Sequence, residues 1–545
     1  MKNATKKSKN KNSHKAIANP AFLKRVFSIP EDEMGTLHQL EKKLSVNLDD
    51  FLLESKVTGE ISLNKLSSIF SKSELPEDPC FVSEQINFLL QNVVPHSVHT
   101  ASPKFIGHMT SSIPYFLISL TKCMVALHQN VVKIETSRSF TFLERQTLAL
   151  LHQLIYKNSK TFYQTHIQKR GSTLGIQCSG GTIANITALW IARNQFIQTV
   201  LGKNNKDQNL IDALRVSGYN NCCVLVSVRG HYSLKKASDL LGFGKNGFMG
   251  VQVNKDHTIN LKNLETVYRK CLEQKIKPIA VIGIAGTTET GSVDPLDKLA
   301  KFCENKSLYF HIDAAWGGAT QFSKRHSNKL KGIEKADSVV IDGHKQLYLP
   351  MGVGMLLFKN PETSKVIEHQ TQYIIRSKSL DLGKRSLEGS RPGMALLVHS
   401  ALHILGRKGY ELLINRNMKL TNTLAKLINK HRHFELITKP QLNILTYRFV
   451  PYFKDYPSNS KASQNLTKLN IQLQKEQREI GISFVSRTAF RHPEPTGETI
   501  SVLRAVIANP RTTEQDLIDV LEEQTILGFK IIRKKLKVFS ELKLK

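Results

Sequence analysis

From about residue 170 the chain alternates short, continuously apolar runs with amphipathic stretches. The runs are "CCVLVSV" (222–228), "KPIAVIGIAG" (277–286), "SLYFHIDAA" (307–315), "SVVID" (338–342) and "GMLLFK" (354–359). Between them "LKNLETVYRKCLEQ" and "DPLDKLAKFCENK" carry apolar residues at helical spacing. A strand that is apolar at successive positions has both faces covered, and strands separated by helices enter a sheet in parallel. The pattern predicts an α/β domain whose mostly parallel sheet is sandwiched by helices.

The flanks have a different rhythm. Residues 31–100 mix helical periodicity with breakers, as in "MGTLHQLEKKLSVNLDDFLLES" and "EQINFLLQNVVP". After about 395 a long helical stretch (395–432) leads to strands at 434–439, 442–450 and 482–488 and to a final helix, "TEQDLIDVLEEQTILGFKII". The polar segment "KDYPSNSKASQN" (454–465) reads as an exposed loop. The expected organisation is a tail over 1–30, an N-terminal helical segment over 31–100, a large α/β domain over 101–394 and a small α+β domain over 395–545. No internal repeat is visible.

Composition sharpens this in two places. The chain has 77 Lys+Arg against 45 Asp+Glu, a net charge of +32 over 545 residues. Residues 1–30 contain no acid, and their Lys/Asn/Ser-rich composition predicts a disordered basic tail. The remaining excess reads as a solvated basic surface, which draws in anionic small molecules, rather than as a nucleic-acid site. The seven cysteines (80, 123, 178, 222, 223, 271, 303) form no C-x-x-C pair, which predicts reduced thiols, no disulfide framework and no metal site. The N-terminal lysines are followed by no apolar core of a secretory signal. The most apolar stretch, 113–127, is interrupted by Lys122 and falls short of the roughly 20 apolar residues a spanning helix needs. A soluble cytoplasmic protein without membrane or nucleic-acid partners is expected.

Ligands of parallel sheets sit beyond the carboxyl ends of the strands. Here those ends are followed by Arg229-Gly230-His231, by Gly286-Thr287-Thr288, by Asp313-Ala314-Ala315 and by Asp342-Gly343-His344-Lys345. Upstream, Ser179-Gly180-Gly181-Thr182 precedes a helical pattern, and glycines at a helix N-terminus let N–H groups approach an anion. Together these supply what pyridoxal phosphate requires. Lys345 provides an amine for covalent attachment and Asp313 a carboxylate to keep the ring nitrogen protonated. The 180–182 turn provides a phosphate cradle, and His231 a flat group over the ring. Taken singly, Asp313 also reads as a helix cap, His231 as a satisfied core histidine, and Arg504 as a surface ion-pair partner.

The motifs "SPKFIGHMTSSIP", "SGGTIAN", "HYSLKKASDLLG", "AGTTETGSVDP", "HIDAAWGG" and "DGHK", in this order, resemble the group II pyridoxal-phosphate decarboxylases. That family includes glutamate, aromatic amino acid and aspartate 1-decarboxylases. The resemblance runs from about 100 to about 530 and is nearest to the bacterial aspartate 1-decarboxylase-like branch. It implies the type I pyridoxal-phosphate (aspartate aminotransferase-like) fold and a homodimer with sites at the subunit interface. It also implies roles. Lys345 matches the lysine that carries the cofactor, and Asp313 the partner of its ring nitrogen. His231 matches the stacking histidine, and Ala315 the small residue on the opposite face. Gly181 and Thr182 match the phosphate turn, and Thr288 and Asp342 cofactor-contacting positions. Arg504, in "SVLRAVIANPRTTEQDL", matches the arginine for the substrate α-carboxylate.

One departure stands out. The family's proton-donating loop tyrosine has no counterpart in "IIRSKSLDLGKRSLEGSR" (374–391), and Tyr373 matches a different, packing tyrosine. His344, His231 or a residue of a second subunit is left to protonate the substrate carbon. The implied reaction is α-decarboxylation of a small acidic L-amino acid, aspartate to β-alanine and CO2. Alternatives are glutamate to 4-aminobutyrate, and an aldehyde synthase or lyase on the same fold. A basic nucleic-acid- or surface-binding protein without activity is the reading from a different class, and the Lys345/Asp313/His231 set argues against it.

Overall fold

The computed structural model describes residues 17–27, 36–59, 61–202, 209–369, 379–451, 460–491 and 499–534. A seven-stranded sheet forms its centre: β1 (Gly175–Cys178), β2 (Asn221–Ser227), β3 (Phe248–Val251), β4 (Ile276–Ile284), β5 (Tyr309–Asp313), β6 (Ser338–Asp342) and β7 (Gly354–Phe358), in the order β1-β7-β6-β5-β4-β2-β3. From β3 to β6 every neighbouring pair is parallel, and β7 runs antiparallel to both β6 and β1.

Alternate residues of each strand feed two separate cores, as the continuous apolar runs require. Cys223 and Leu225 of β2 face one side, with Leu151 and Ile155 of the helix Ser139–Tyr156, Leu264 of Leu261–Glu273 and Leu299 of Leu296–Lys306. Cys222, Val224 and Val226 face the other, against Ala188 and Leu189 of Gly181–Leu201 and Leu234 of Tyr232–Ser238.

A second, antiparallel sheet of β8 (Phe434–Leu436), β9 (Ile444–Phe449), β10 (Ser486–Arg491) and β11 (Thr499–Val506) has the order β10-β11-β9-β8. The helices Ser460–Ile480 and Glu514–Lys534 cover it through Leu469, Leu473, Leu517 and Leu521. The helix Ala395–Lys430, broken at Gly406 (φ 59°), joins the halves. Leu397, Ala401 and Ile414 lie in the first core, and Leu424 and Ile428 in that of the small sheet.

Three local expectations change. The stretch read as a loop to 465 is helical from Ser460, because Leu466, Leu469 and Leu473 sit at helical spacing and are buried, while the polar residues face out. Residues 454–459 lie outside the described part. β1 and β3, four residues each, are too short to show a period. Within the expected tail, Pro20–Phe27 forms a mostly exposed helix whose N-terminus Asn19 caps through Phe22 N at 2.8 Å. Among the described residues no helix is long and apolar enough to cross a membrane.

The start of the long helix is tied to the large domain by a buried ion pair. Arg391 donates to both carboxylate oxygens of Glu144, at 2.7 and 2.5 Å, and the two residues are 8% and 1% exposed. Removing one partner leaves a buried, uncompensated charge. Arg391→Met is expected to cost about 3–5 kcal/mol in urea unfolding, and Arg391→Met with Glu144→Leu distinctly less. An equal loss in the double variant would show that burial geometry, not charge, sets the cost.

Candidate active site

The carboxyl ends of the parallel strands meet the small sheet around a cavity of about 500 Å³. Lys345, His344, Asp342, Asp313, Ala315, His231, Gly181, Thr182, Thr288 and Arg504, the ten residues singled out in the sequence, all line it. They come from the ends of β1, β2, β4, β5 and β6, and, for Arg504, from β11. Register explains the convergence: Asp313 pairs with Ile284 of β4 and with Val340 of β6, so three strand ends stand level.

Asp313 is 7% exposed and held from behind. Its Oδ1 accepts from Ala315 N at 3.1 Å, and its Oδ2 from the Asn185 amide at 3.0 Å. Asn185 also donates to Ser233 Oγ at 3.2 Å, and its carbonyl oxygen lies 3.0 Å from Nε2 of His311. An amide oxygen only accepts, so Nε2 of His311 carries the proton, and Nδ1 accepts from Ser338 Oγ at 2.8 Å. Burial lowers the His311 pKa to about 4, which keeps this ring neutral and the chain of donors in one sense. Asp313 is thereby fixed in orientation with one face toward the cavity.

His231 caps the following helix: Ser233 N donates to its Nδ1 at 3.3 Å, leaving Nε2 as the protonated nitrogen of the neutral ring. Burial lowers its pKa, against the opposing pull of Asp313. Asp342 accepts from Gly181 N at 3.1 Å through Oδ2. A Cβ at Gly181 would stand 3.0 Å from that oxygen and 3.5 Å from the Ala315 Cβ, so the close approach of turn and strand needs glycine. Nδ1 of His344 lies 2.7 Å from the other Asp342 oxygen, Oδ1, off the line of a hydrogen bond, and both atoms are buried without a hydrogen-bond partner.

Arg504 is 9% exposed and donates through Nε to Ser486 Oγ (2.8 Å), Nη1 to Thr288 O (2.8 Å) and Nη2 to Gly107 O (3.0 Å). Three of five N–H groups are used, and two remain for an anion in the cavity. Gly107 packs directly on β10, where a Cβ would stand 2.3 Å from Ser486 N.

The donor set fits pyridoxal phosphate. A half-buried amine, a braced carboxylate and a neutral imidazole face one space. Gly181 N is taken by Asp342, but the next N–H groups of the helix Gly181–Leu201, those of Thr182 and Ile183, have no intrahelical acceptor and belong to residues that line the same space, and above Gly180 a Cβ would meet nothing within 4 Å. Asp342 and His344, whose Oδ1 and Nδ1 face each other at 2.7 Å, add polar groups to the same wall. Among the described residues no cluster of His, Cys, Asp or Glu is suited to hold a metal.

Asn185 and His311, which brace Asp313, and His108 and Arg229, which line the cavity, were not singled out as functional from sequence. Asn185 is a polar residue on the buried face of a helix, and His311 lies two before Asp313 on β5, both readable as polar interruptions of apolar faces. Residues 374–378 and Tyr373, part of the stretch expected to lack the loop tyrosine, lie outside the described residues. The remainder, 379–391, contributes Asp381, Lys384, Arg385 and Arg391 to a different cavity of about 260 Å³.

A mostly parallel sheet with this amine, carboxylate and imidazole at its edge, joined to a small antiparallel domain, defines a pyridoxal-phosphate enzyme of fold type I. The pyridoxal-dependent decarboxylase conserved domain matches residues 71–450, and the chain belongs to that family. It is similar to the aspartate 1-decarboxylase of Aliivibrio fischeri, 47% identical over 516 residues that cover 92% of this chain and 93% of that one. The acidic amino acid decarboxylase GADL1 of Xenopus tropicalis is 26% identical over 453 residues, 82% of this chain and 83% of that one. Among solved structures, mouse CSAD in apo form superposes with a TM-score of 0.78 at 24% identity, covering 90% of this chain and 99% of that one. The protein is a group II pyridoxal-phosphate-dependent amino acid decarboxylase, a carboxy-lyase.

The bracing of Asp313 has a measurable consequence. Asn185→Leu leaves His311 Nε2 and one Asp313 oxygen without partners in a buried setting. Unfolding in urea is expected to show a loss of about 1–3 kcal/mol. An unchanged midpoint would mean that the network carries no stability.

Proposed function

We propose that this decarboxylase acts on a short acidic L-amino acid, aspartate ahead of glutamate, releasing CO2 and β-alanine. The observation that carries the reading is the convergence of Lys345, Asp313, His231 and Arg504 on one cavity in a chain 47% identical to an aspartate 1-decarboxylase. Pyridoxal phosphate, when bound, takes up the electron pair left at Cα as the carboxylate departs. Lys345 would hold the cofactor covalently through its amine. Asp313, unable to turn because Asn185 and Ala315 N hold its oxygens, keeps the ring nitrogen protonated. His231 and Ala315 would lie against the cofactor ring, and the turn at Gly181 and Thr182 would hold its phosphate. Thr288 and Asp342 contact the cofactor, and Thr288 also fixes Arg504 through its carbonyl.

Arg504, held by Ser486, Thr288 and Gly107, would hold the substrate α-carboxylate in the cavity. The proton that replaces the carboxylate at Cα is assigned to His344 or His231, both in the cavity wall. Leu53, Leu63, Phe70 and Leu75 of the N-terminal segment are between 53% and 92% exposed, which supports a homodimer that covers them, in a soluble, cytoplasmic enzyme. Sedimentation is expected to give twice the chain mass, and a monomer active at full rate would remove the dimer from this reading.

Two measurements test the site. The purified protein should absorb in the visible, and borohydride should fix the cofactor to Lys345; an adduct mapped to another lysine would reassign the amine. Asp313→Asn should retain bound cofactor while losing most of its turnover, since a neutral amide does not hold the ring nitrogen protonated. The substrate is decided by CO2 release from aspartate, glutamate, tyrosine and diaminobutyrate. One methylene is worth about 1–3 kcal/mol in a pocket, so glutamate is expected at roughly a tenth to a hundredth of the aspartate efficiency. Preference for an aromatic or cationic substrate would overturn the proposal.

A further inference from the structure

The cavity wall contains three basic side chains, Lys345, Arg504 and Arg229. The reaction uses the first two. Arg229 lies on the turn that leaves β2, two residues before His231, where its own N–H donates to Ser227 Oγ at 3.1 Å. Its guanidinium carbon stands 4.8 Å from the centroid of the Phe490 ring on β10, and Nη2 makes one long contact, 3.4 Å, with Nδ1 of His257. Nε is buried without a hydrogen-bond partner.

The acid that acts on Arg229 electrostatically is Glu289, in the loop after β4, but among the described residues the two make no ion pair. Glu289 acts on Arg504 as well. Burial raises the Glu289 pKa, and its Oε2 is itself buried and unpartnered. A guanidinium with an unpartnered, buried N–H and no carboxylate in contact is poised for an anion that arrives from outside the chain.

We infer that Arg229 receives the distal carboxylate of the substrate and so makes the cavity select short dicarboxylic amino acids. The inference rests on the acidic-substrate reading above and deepens it. Arg504 and Arg229, one from each sheet, grip the two ends of the molecule, and the cofactor lysine stands on the same wall. The competing role is structural: Arg229 as a clip that stacks on Phe490 and holds the small sheet to the large one. Substrate selectivity separates the two, because a clip would serve every substrate alike.

The test compares holoenzymes carrying Arg229→Gln, Arg229→Lys and His108→Gln on aspartate and on its neutral isostere asparagine, with succinate binding followed by calorimetry. Arg229→Gln is expected to lower kcat/KM for aspartate about a hundredfold or more, chiefly through KM, and to weaken succinate by a similar factor. Asparagine turnover and the visible absorbance should stay within about threefold, and Arg229→Lys should recover part of the loss. Equal losses on both substrates with unchanged succinate binding would make Arg229 the clip and overturn the inference. So would aspartate kinetics and succinate binding within threefold of the parent, or a selectivity loss in His108→Gln alone. A parent enzyme that prefers tyrosine to aspartate would instead sink the acidic-substrate reading, and this inference with it.

Discussion

The parallel pairing of β2, β4, β5 and β6 is the constraint on which the rest of the molecule depends. Parallel strands end on the same edge, so the residues that follow them are delivered to one place although they are far apart in the chain. Asp313 and Lys345 stand together because β5 pairs with β6 in a register that aligns Asp313 with Val340, with the chain then turning through Asp342 and Gly343. A shift of one residue would turn Asp313 away from Asn185 and exchange the side chains that fill the two cores. The two cores, fed by alternate residues of each strand, hold that register.

Polarity behind the edge is as ordered as the edge itself. A carboxylate near a low-dielectric core is costly unless its oxygens are satisfied, and here the satisfying groups form a chain from Asp313 through Asn185 and His311 to Ser338. The neutral state of His311, imposed by burial, sets which nitrogen donates and hence which way the Asn185 amide faces. Orientation of Asp313 is therefore inherited from Asn185 in the cavity wall and from His311 and Ser338 behind it.

The small sheet completes what the large one begins. Arg504 reaches the cavity from β11, yet two of its three hydrogen bonds go to Thr288 and Gly107, which belong to other parts of the chain. Trp316 at the cavity wall donates to Asn443 of the small-sheet region at 3.0 Å, and the long helix Ala395–Lys430 contributes to both cores. Arg504 thus enters the site only when the two sheets are docked.

Sequence alone determined the strand–helix alternation, since a continuous apolar run has only a doubly covered strand to occupy, and with it the identity of the groups at the strand ends: His231, Thr288, Asp313, Ala315, Asp342, His344 and Lys345. It also carried the glycine turn at 180–181 and, through resemblance, Arg504. It misread the length of the polar stretch before 465, where charged residues hid a buried leucine stripe on a helix, and passed over the four-residue strands, which are shorter than any period can reveal. Asn185, His311, His108 and Arg229 acquired meaning only in three dimensions. Whether a buried amide faces a carboxylate, or a guanidinium lacks a partner, depends on distances between segments more than a hundred residues apart, and local periodicity does not encode such distances.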